Sequence, residues 1–379
     1  MTAVTTTLLL LVVILGLLLA LEVLNALFDS VFEGLVVDAS RNEAIPLWLL
    51  PPMLLRTVLV LVARVGRSVS LWMHELAHAG AQLVFGGRPR VVLLRNGGYA
   101  QSRPWVAWAP ANHAYVIGGC LGQGVICMAP IIAGSTLLVV TLAGLTSLEL
   151  ADLPAFGRAL SAELDPATAK SLARATGHAL AEGRWWSWPV VVVVSLLLAP
   201  SMTPSTVDYV HGRVHLLAYS IAALVCTAIA AHAPGALWIV APIAGAAGVA
   251  ATLFGPAWSR SLAGGTGLAT GVLALALAIL AWRTDYTALS ALHTGLGMIA
   301  YGFGIAAAVF VAFVTGFLAL SLISIRPRTL WYTLRAVPRH LIDLVRTFHT
   351  CDRCRIHYRG TCEGCGRTPD APAPAQPPT

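Results

Sequence analysis

Long apolar runs, separated by short polar segments, dominate the chain. They cover residues 5–28, 46–65, 114–145, 185–199, 214–231, 236–254, 266–282 and 298–325. As helices, most of these runs are long enough to cross a hydrocarbon core about 30 Å thick. The pattern therefore predicts an all-α polytopic membrane protein with about eight or nine membrane segments.

Three of the runs contain features that bear on where helices begin and end. The first has neither a basic segment before it nor a small-residue cleavage site after it, which indicates an anchor helix rather than a removed signal peptide. Pro51 and Pro52 interrupt the second run, which is either a full span or a shorter, partly inserted segment; a helix over 68–85, ended by glycine, should follow. The run at 114–145 exceeds one untilted span, and Pro130 could divide it.

Two polar segments interrupt the apolar pattern in the first half of the chain. Residues 88–103 contain Asn96-Gly97-Gly98 between two short extended stretches, which predicts a small hairpin with a glycine turn. Residues 146–184 are polar and charged, with alanines at helical spacing. We expect them to form a small extramembrane segment of one or two helices.

Composition supports a membrane location. The chain is 57% hydrophobic and only 11% charged, with a mean hydropathy of +0.77. A soluble domain would carry roughly a quarter charged residues, so the lipid bilayer must be the main surrounding of this chain. The net charge of +7 comes almost wholly from arginine, since Lys170 is the only lysine.

The basic residues also predict an orientation. Five arginines lie within about twenty residues after the last apolar run, at Arg326, Arg328, Arg335, Arg339 and Arg346. Because basic residues concentrate on the cytoplasmic side of membrane proteins, we expect the C-terminus in the cytoplasm. Residues 330–348 place apolar positions at helical spacing between these arginines, so the segment could lie along an anionic membrane surface.

The sharpest chemical signal is His74-Glu75-Leu76-Ala77-His78. On a helix, positions i and i+4 share a face, so both imidazoles can reach one metal ion. The glutamate beside the first histidine can then act as the general base of zinc hydrolysis. Alternatively, these residues lie at the membrane interface and face water. The helix is otherwise apolar, however, and ionisable groups at membrane depth usually persist only when they are paired, hydrated or metal-bound.

A third zinc ligand is expected downstream, in a membrane segment interrupted by Pro200 and Pro204. Asp208 is the favoured candidate, because irregular backbone at that depth must be buried in protein or line a wet cavity. Alternatively, Asp208 marks a loop at the membrane surface. His211 and His215 remain open as ligands, proton carriers or hydrogen-bond partners of the ligands.

Asn112 and His113 begin the glycine-rich segment and could contact a substrate or an oxyanion. A helix-capping role would explain Asn112 equally well.

These residues together resemble the site-2 protease family of zinc intramembrane metalloproteases. The resemblance covers about residues 60–230 and rests on the HExxH sequence followed by Ala79-Gly80, the hairpin-like segment and a Pro-x-x-x-Asp sequence. It implies that His74, His78 and Asp208 bind a catalytic zinc ion and that Glu75 is catalytic. The Asn-Pro-Asp-Gly or Leu-Asp-Gly sequence usual in the family is replaced by Pro204-Ser-Thr-Val-Asp208, and no PDZ-like domain is found, so the chain is closer to a divergent branch.

Four of the seven cysteines form two CxxC pairs near the C-terminus, at Cys351, Cys354, Cys362 and Cys365. Four thiolates at this spacing favour a structural zinc site in a small ribbon-like knuckle. Two disulfides or redox thiols are the alternatives, and disulfides fit poorly with a cytoplasmic end. The basic residues between the pairs could contact nucleic acid or a protein, although a solvated basic face is the more ordinary explanation. Of the two partners, a cytoplasmic protein is favoured over nucleic acid. The other three, Cys120, Cys127 and Cys226, lie in apolar runs and should behave as small hydrophobic residues.

The expected organisation follows from these segments. It comprises N-terminal membrane segments (1–66), a metalloprotease-like membrane core (67–232) that includes the extramembrane segment 146–184, C-terminal membrane helices (233–325), a basic amphipathic linker (326–350), the zinc knuckle (351–368) and a disordered tail (369–379). The expected function is cleavage of transmembrane segments of protein substrates, by resemblance in regulated proteolysis signalling. The alternatives are a membrane metal-binding protein or transporter, and a scaffold that has lost turnover.

Overall fold

The computed structural model describes most of the chain as long helices. The described residues are 2–39, 50–94, 97–104, 109–187, 190, 194, 201, 206–256, 260–324, 331–332, 334–335, 337–338, 342, 349–350 and 357–358. Within them, nine α-helices occur: α1 (Ala3–Ala39), α2 (Leu50–Val84), α3 (Ala109–Leu145), α4 (Leu153–Ala162), α5 (Pro166–Ala181), α6 (Thr206–His232), α7 (Leu237–Phe254), α8 (Gly265–Arg283) and α9 (Ala288–Ser324). A π-helical turn at Arg260–Gly264 leads into α8.

Six helical stretches in the described part are long and apolar enough to cross a membrane. They are Ala3–Phe32, Asn112–Leu145, Gly212–His232, Pro234–Phe254, Arg260–Arg283 and Ala288–Ala319. A multi-pass membrane protein is thus supported: the sequence predicts eight or nine membrane segments, and six candidate spans lie within the described residues. Of the two remaining apolar runs, 46–65 belongs largely to α2, and most of 185–199 lies outside the described residues.

Helix α2 corrects the expectation of two separate elements between residues 46 and 85. It runs without a break over 35 residues, from Leu50 to Val84. Pro51 and Pro52 fall in its first turn, where the main-chain N–H groups have no helical acceptor and proline is tolerated. The HExxH sequence therefore lies in the last third of one long helix rather than in a short helix of its own.

Helix α3 likewise passes through its proline. The helix is continuous over 37 residues with Pro130 in its interior, so Pro130 does not divide the apolar run. Cys127 is buried in the same helix, and Cys226 is buried in α6, as expected for small apolar residues.

The predicted hairpin is confirmed. Strands β1 (Gly87–Leu94) and β2 (Gly97–Pro104) pair antiparallel, with Gly87 opposite Pro104 and Leu94 opposite Gly97. Gly97 and Gly98, predicted in the turn, instead begin β2. The chain enters the hairpin directly from α2, because Gly86 has a φ of 82°, a conformation that residues with side chains rarely adopt.

The apolar core nearest the HExxH helix is built from α1, α2, α3 and α9. Its buried members include Leu21 and Phe28 from α1, Ile131 from α3 and Phe310 from α9. Phe28 contacts the rings of two phenylalanines of α9, at centroid distances of 5.4 and 5.1 Å. This packing holds the long helices around the polar residues that α2 carries.

The polar segment 146–184 contains the two helices expected, α4 and α5. Gly157 of α4 lies against α9, where a Cβ atom at this position would come within 2.7 Å of the Thr294 carbonyl oxygen. Asp165 precedes α5 and accepts a hydrogen bond of 2.6 Å from the main-chain N–H of Thr168, which holds the pKa of Asp165 below its ordinary value. The segment is thus folded onto the helical bundle.

Near the C-terminus, two short strands are described. Strand β3 (His349–Thr350) pairs antiparallel with β4 (His357–Tyr358), so that Thr350 lies opposite His357. The four cysteines of the expected zinc knuckle, and the expected disordered tail, lie outside the described residues.

Candidate metal centre

Helix α2 presents the HExxH side chains to the interior of the protein. Glu75 and His78 are only 5% and 6% exposed, whereas Trp72 and Leu76 of the same helix are about half exposed. The helical repeat explains this division, since residues three or four apart share a face. The polar face is therefore directed away from the surface that lipid would contact.

Three side chains from two helices converge at this polar face. The Nε2 atoms of His74 and His78 lie 3.1 Å apart. One carboxylate oxygen of Asp208, in the first turn of α6, lies 3.5 Å from His74 Nε2, and the other lies 3.3 Å from His78 Nε2. The three residues form the one group of potential metal ligands found among the described residues, with all ligand atoms within 4.8 Å of one another.

The far nitrogen of each imidazole contacts a main-chain oxygen. His78 Nδ1 lies 2.7 Å from the carbonyl oxygen of Ile126 in α3, and His74 Nδ1 lies 3.3 Å from the carbonyl oxygen of Ser201. A carbonyl oxygen only accepts hydrogen bonds, so both Nδ1 atoms must carry hydrogen. In the neutral rings, the two Nε2 atoms are then unprotonated acceptors.

This arrangement brings two imidazole lone pairs and a carboxylate together, and a bound cation would stabilise it. The ligand set fits zinc, for which two imidazoles and one carboxylate with an open fourth position are typical of hydrolases. Tetrahedral ligands with zinc–ligand bonds of 2.0–2.1 Å stand about 3.3 Å apart. The observed separations of 3.1, 3.3 and 3.5 Å bracket that value.

Glu75 supplies a further carboxylate beside the ligands. It interacts electrostatically with all three ligand residues, and its Oε2 atom is buried without a hydrogen-bond partner among the residues described. A buried carboxylate oxygen in this state is free to accept a proton from a molecule that enters the site. Its position next to His74 matches the role of a general base.

Of the other sequence candidates, the structure describes the side chains of His215 and Asn112, and neither belongs to the ligand group. His215 follows Asp208 by two helical turns, about 10 Å along α6, and lies beside the small residues Gly124 and Gly265. Asn112 lies in the first turn of α3, about 21 Å along that helix from Ile126, the residue of α3 whose carbonyl oxygen contacts His78. The side chain of His211 is not among those described.

Two contacts of the site were not predicted from the sequence. They are the contacts of the two imidazoles with the carbonyl oxygens of Ile126 and Ser201. Every residue has a main-chain carbonyl, so residue type alone does not indicate which carbonyl will contact a histidine. Cys127 also lies close to the site: a Cβ atom on Gly212 of α6 would come within 2.9 Å of Cys127 Cβ. The close approach of α3 and α6 at this point places Asp208 beside the two histidines.

Comparisons with models of protein families, with curated proteins and with solved structures find no match for this chain. The metal centre is therefore supported by the chain's own residues and their geometry.

Proposed function

We propose that this protein is an intramembrane zinc metalloprotease that cleaves transmembrane segments of membrane proteins. The observation that carries the proposal is a buried carboxylate, Glu75, next to three converging side chains that could hold a metal ion, in a protein whose described residues include six candidate membrane spans. The resemblance of the HExxH region to the site-2 protease family supports the same reaction. By that resemblance, cleavage would release signalling fragments in regulated proteolysis.

His74, His78 and Asp208 would hold the zinc ion. The chemistry that a bound zinc ion supplies is polarisation of the scissile carbonyl and acidification of water. The Ile126 and Ser201 carbonyls keep both Nδ1 atoms protonated, which leaves the Nε2 lone pairs directed to the metal position.

Glu75 carries the proton transfers of the reaction. Its carboxylate takes a proton from the attacking water while the water oxygen bonds to the carbonyl carbon. The same carboxyl group then gives that proton to the amide nitrogen as the C–N bond breaks, and Glu75 returns to its charged form. A substrate helix must unwind locally for this to happen, because a helical peptide bond is shielded by its own hydrogen bonds.

The proposal is tested by comparing new protein N-termini in membranes that contain wild-type protein or Glu75→Gln. Loss of a general base should reduce cleavage by about 100- to 10,000-fold, while the amide preserves the shape of the side chain and the zinc ligands stay intact. Glu182→Gln, the same change at an exposed position, is the matched control and should behave as wild type.

Termini that map inside membrane helices and depend on Glu75 would identify the substrates. Identical termini in all three samples, with zinc bound to each protein, would contradict the protease and favour a non-proteolytic metal-binding protein or transporter.

The C-terminal cysteines belong to the same proposal as a second, structural zinc site. Their two CxxC pairs suit a closed tetrahedral site, and the short strands β3 and β4 flank the first pair in the sequence. A full-length chain in which Cys351, Cys354, Cys362 and Cys365 are serine, called the tail-serine chain below, should bind one zinc ion fewer than wild type. Equal zinc contents would contradict the site.

A further inference from the structure

The carbonyl group that holds His78 lies in the interior of a long helix. Ile126 is well within α3, which spans Ala109–Leu145, yet its oxygen accepts a hydrogen bond of 2.7 Å from His78 Nδ1 in α2. Interior carbonyls of an α-helix normally accept from the main-chain N–H four residues later. The Ile126 oxygen is therefore unusual, because it accepts a hydrogen bond from a different helix.

The residue four positions after Ile126 is Pro130. Proline has no main-chain N–H, so Ile126 lacks its helical donor. The proline ring also crowds the carbonyl four residues before it, which favours turning that carbonyl away from the helix axis. An oxygen in this position is available to a donor from a neighbouring helix, and His78 occupies that role.

We propose that Pro130 is a positioning residue for the metal centre: by withholding a helical donor it reserves the Ile126 carbonyl for His78. The hydrogen bond fixes His78 with hydrogen on Nδ1 and a lone pair on Nε2, directed at Asp208 and His74. This inference rests on the proposed metal site, but it concerns how the chain prepares a ligand rather than which bond is cleaved.

A related pattern occurs at the second imidazole. Ser201, whose carbonyl oxygen lies 3.3 Å from His74 Nδ1, has 3₁₀ conformation, and it is followed three residues later by Pro204. Each carbonyl that contacts one of the two imidazoles thus precedes a proline in the sequence, by four residues for Ile126 and by three for Ser201.

A purely structural role for Pro130 makes a different prediction. Proline is strongly disfavoured in helix interiors relative to alanine, so Pro130→Ala should leave the stability of the metal-free protein unchanged or raise it, whereas replacement of a proline needed for helix packing would lower it. Pro130→Ala also restores a main-chain N–H at position 130. If the proline served only to bend α3, the zinc affinity would not depend on that N–H. Measurements of zinc affinity and of the thermal stability of the metal-free protein therefore distinguish a positioning role from a structural role.

The experiment measures zinc affinity of the tail-serine chain in detergent by competition with a chelator of known affinity. Pro130→Ala should weaken zinc binding by about 10- to 100-fold, the usual effect of losing a hydrogen-bond partner of a metal-binding histidine. The thermal midpoint of the metal-free protein should be unchanged or higher. Pro242→Ala is the matched control, because Pro242 lies inside another membrane helix, α7, and should leave affinity unchanged.

A second replacement isolates the missing N–H. Lactic acid incorporated at position 130 forms an ester, which lacks the proline ring but also lacks the N–H. It should retain the zinc affinity of the parent chain. In the metal-free parent, ¹⁵N spectra of labelled histidine should show His78 with hydrogen on Nδ1, and Pro130→Ala should lose this tautomeric preference.

The outcomes are distinguishable. Zinc binding by Pro130→Ala as tight as that of the parent, or weakened equally by the lactic acid replacement, would overturn the role of Pro130 and leave the proposed function standing. Failure of the parent tail-serine chain itself to bind zinc would overturn the proposed metal site and, with it, this inference.

Discussion

At the scale of single residues, each imidazole of the metal centre is held at both ends. One nitrogen faces a main-chain carbonyl and the other faces the Asp208 carboxylate, at 3.5 Å for His74 and 3.3 Å for His78. The carbonyls set which nitrogen carries hydrogen, and Asp208 supplies the negative charge that a cation requires. Removing the charge of Asp208 while keeping the size of its side chain should therefore weaken metal binding.

Asp208→Asn tests this directly. The amide is nearly the same size, but it is neutral and presents an N–H₂ donor where a metal needs an acceptor. We expect zinc affinity of the tail-serine chain to fall by at least about 10- to 100-fold, measured by chelator competition. Asp285→Asn, at an exposed position, should have no effect. Equal affinities for both variants would show that Asp208 is not a ligand.

The metal-site side chains could be predicted from the sequence to an unusual extent. The spacing of His74, Glu75 and His78 fixes their shared face on any helix, and Asp208 was the favoured carboxylate in the interrupted segment that follows. The contacts to Ile126 and Ser201 could not be predicted, because they depend on how closely two distant helices approach. His215 and Asn112 carried suitable chemistry, but the structure gives them other surroundings.

At the scale of elements, the position of α2, which carries the two histidines, depends on close packing against glycines of α3. A Cβ atom on Gly118 would come within 2.7 Å of the Phe85 carbonyl oxygen, just beyond the end of α2. A Cβ atom on Gly122 would overlap the Phe85 ring, at 2.3 Å from Cγ. The end of α2 therefore fits into a groove that only glycine leaves open.

Gly118→Ala and Gly119→Ala form a matched pair in this helix. The first places a methyl group against main-chain oxygen, which cannot move cheaply, whereas Gly119 has open space around it. We expect Gly118→Ala to destabilise the protein by about 1–3 kcal/mol and to weaken zinc binding, since α2 must shift relative to Ile126. Gly119→Ala should be neutral or stabilising. Thermal unfolding and zinc titration in detergent measure both; similar behaviour of the two variants would contradict the packing account.

Helix boundaries were predicted less well than helix existence. The apolar runs correctly indicate α1, α3 and α6–α9. Pro51 and Pro52 suggest an interruption in the sequence, but in the structure they lie in the first turn of α2. Pro130 suggests a dividing point, whereas α3 continues through it. The position of a proline within a helix decides its effect, and that position is set by packing between helices that the sequence pattern does not contain.

At the scale of the whole molecule, the described residues include six candidate spans and a polar site formed by α2 and α6, and five arginines lie within about twenty residues after α9. Buried ionisable groups in such a setting are costly unless they are paired or bind a metal. We infer an orientation with the C-terminus in the cytoplasm from the five arginines after the last span.

A C-terminal fusion tests the orientation. Green fluorescent protein joined after Thr379 should fluoresce, because it folds in the cytoplasm, and alkaline phosphatase at the same position should be inactive. The reverse pattern would place the C-terminus, and the two CxxC pairs with it, on the opposite side of the membrane. A matched fusion after Ala233, at the end of α6, reports the side reached by an earlier span.

The measurement that tests the central claim most directly is zinc X-ray absorption of the purified tail-serine chain. We predict one zinc ion per chain with only nitrogen and oxygen neighbours at about 2.0–2.1 Å, including the outer-shell scattering of two imidazoles. His78→Ala should remove the imidazole contribution or the zinc itself. Absence of bound zinc in the parent chain, or a spectrum that His78→Ala leaves unchanged, would contradict a zinc centre at His74, His78 and Asp208.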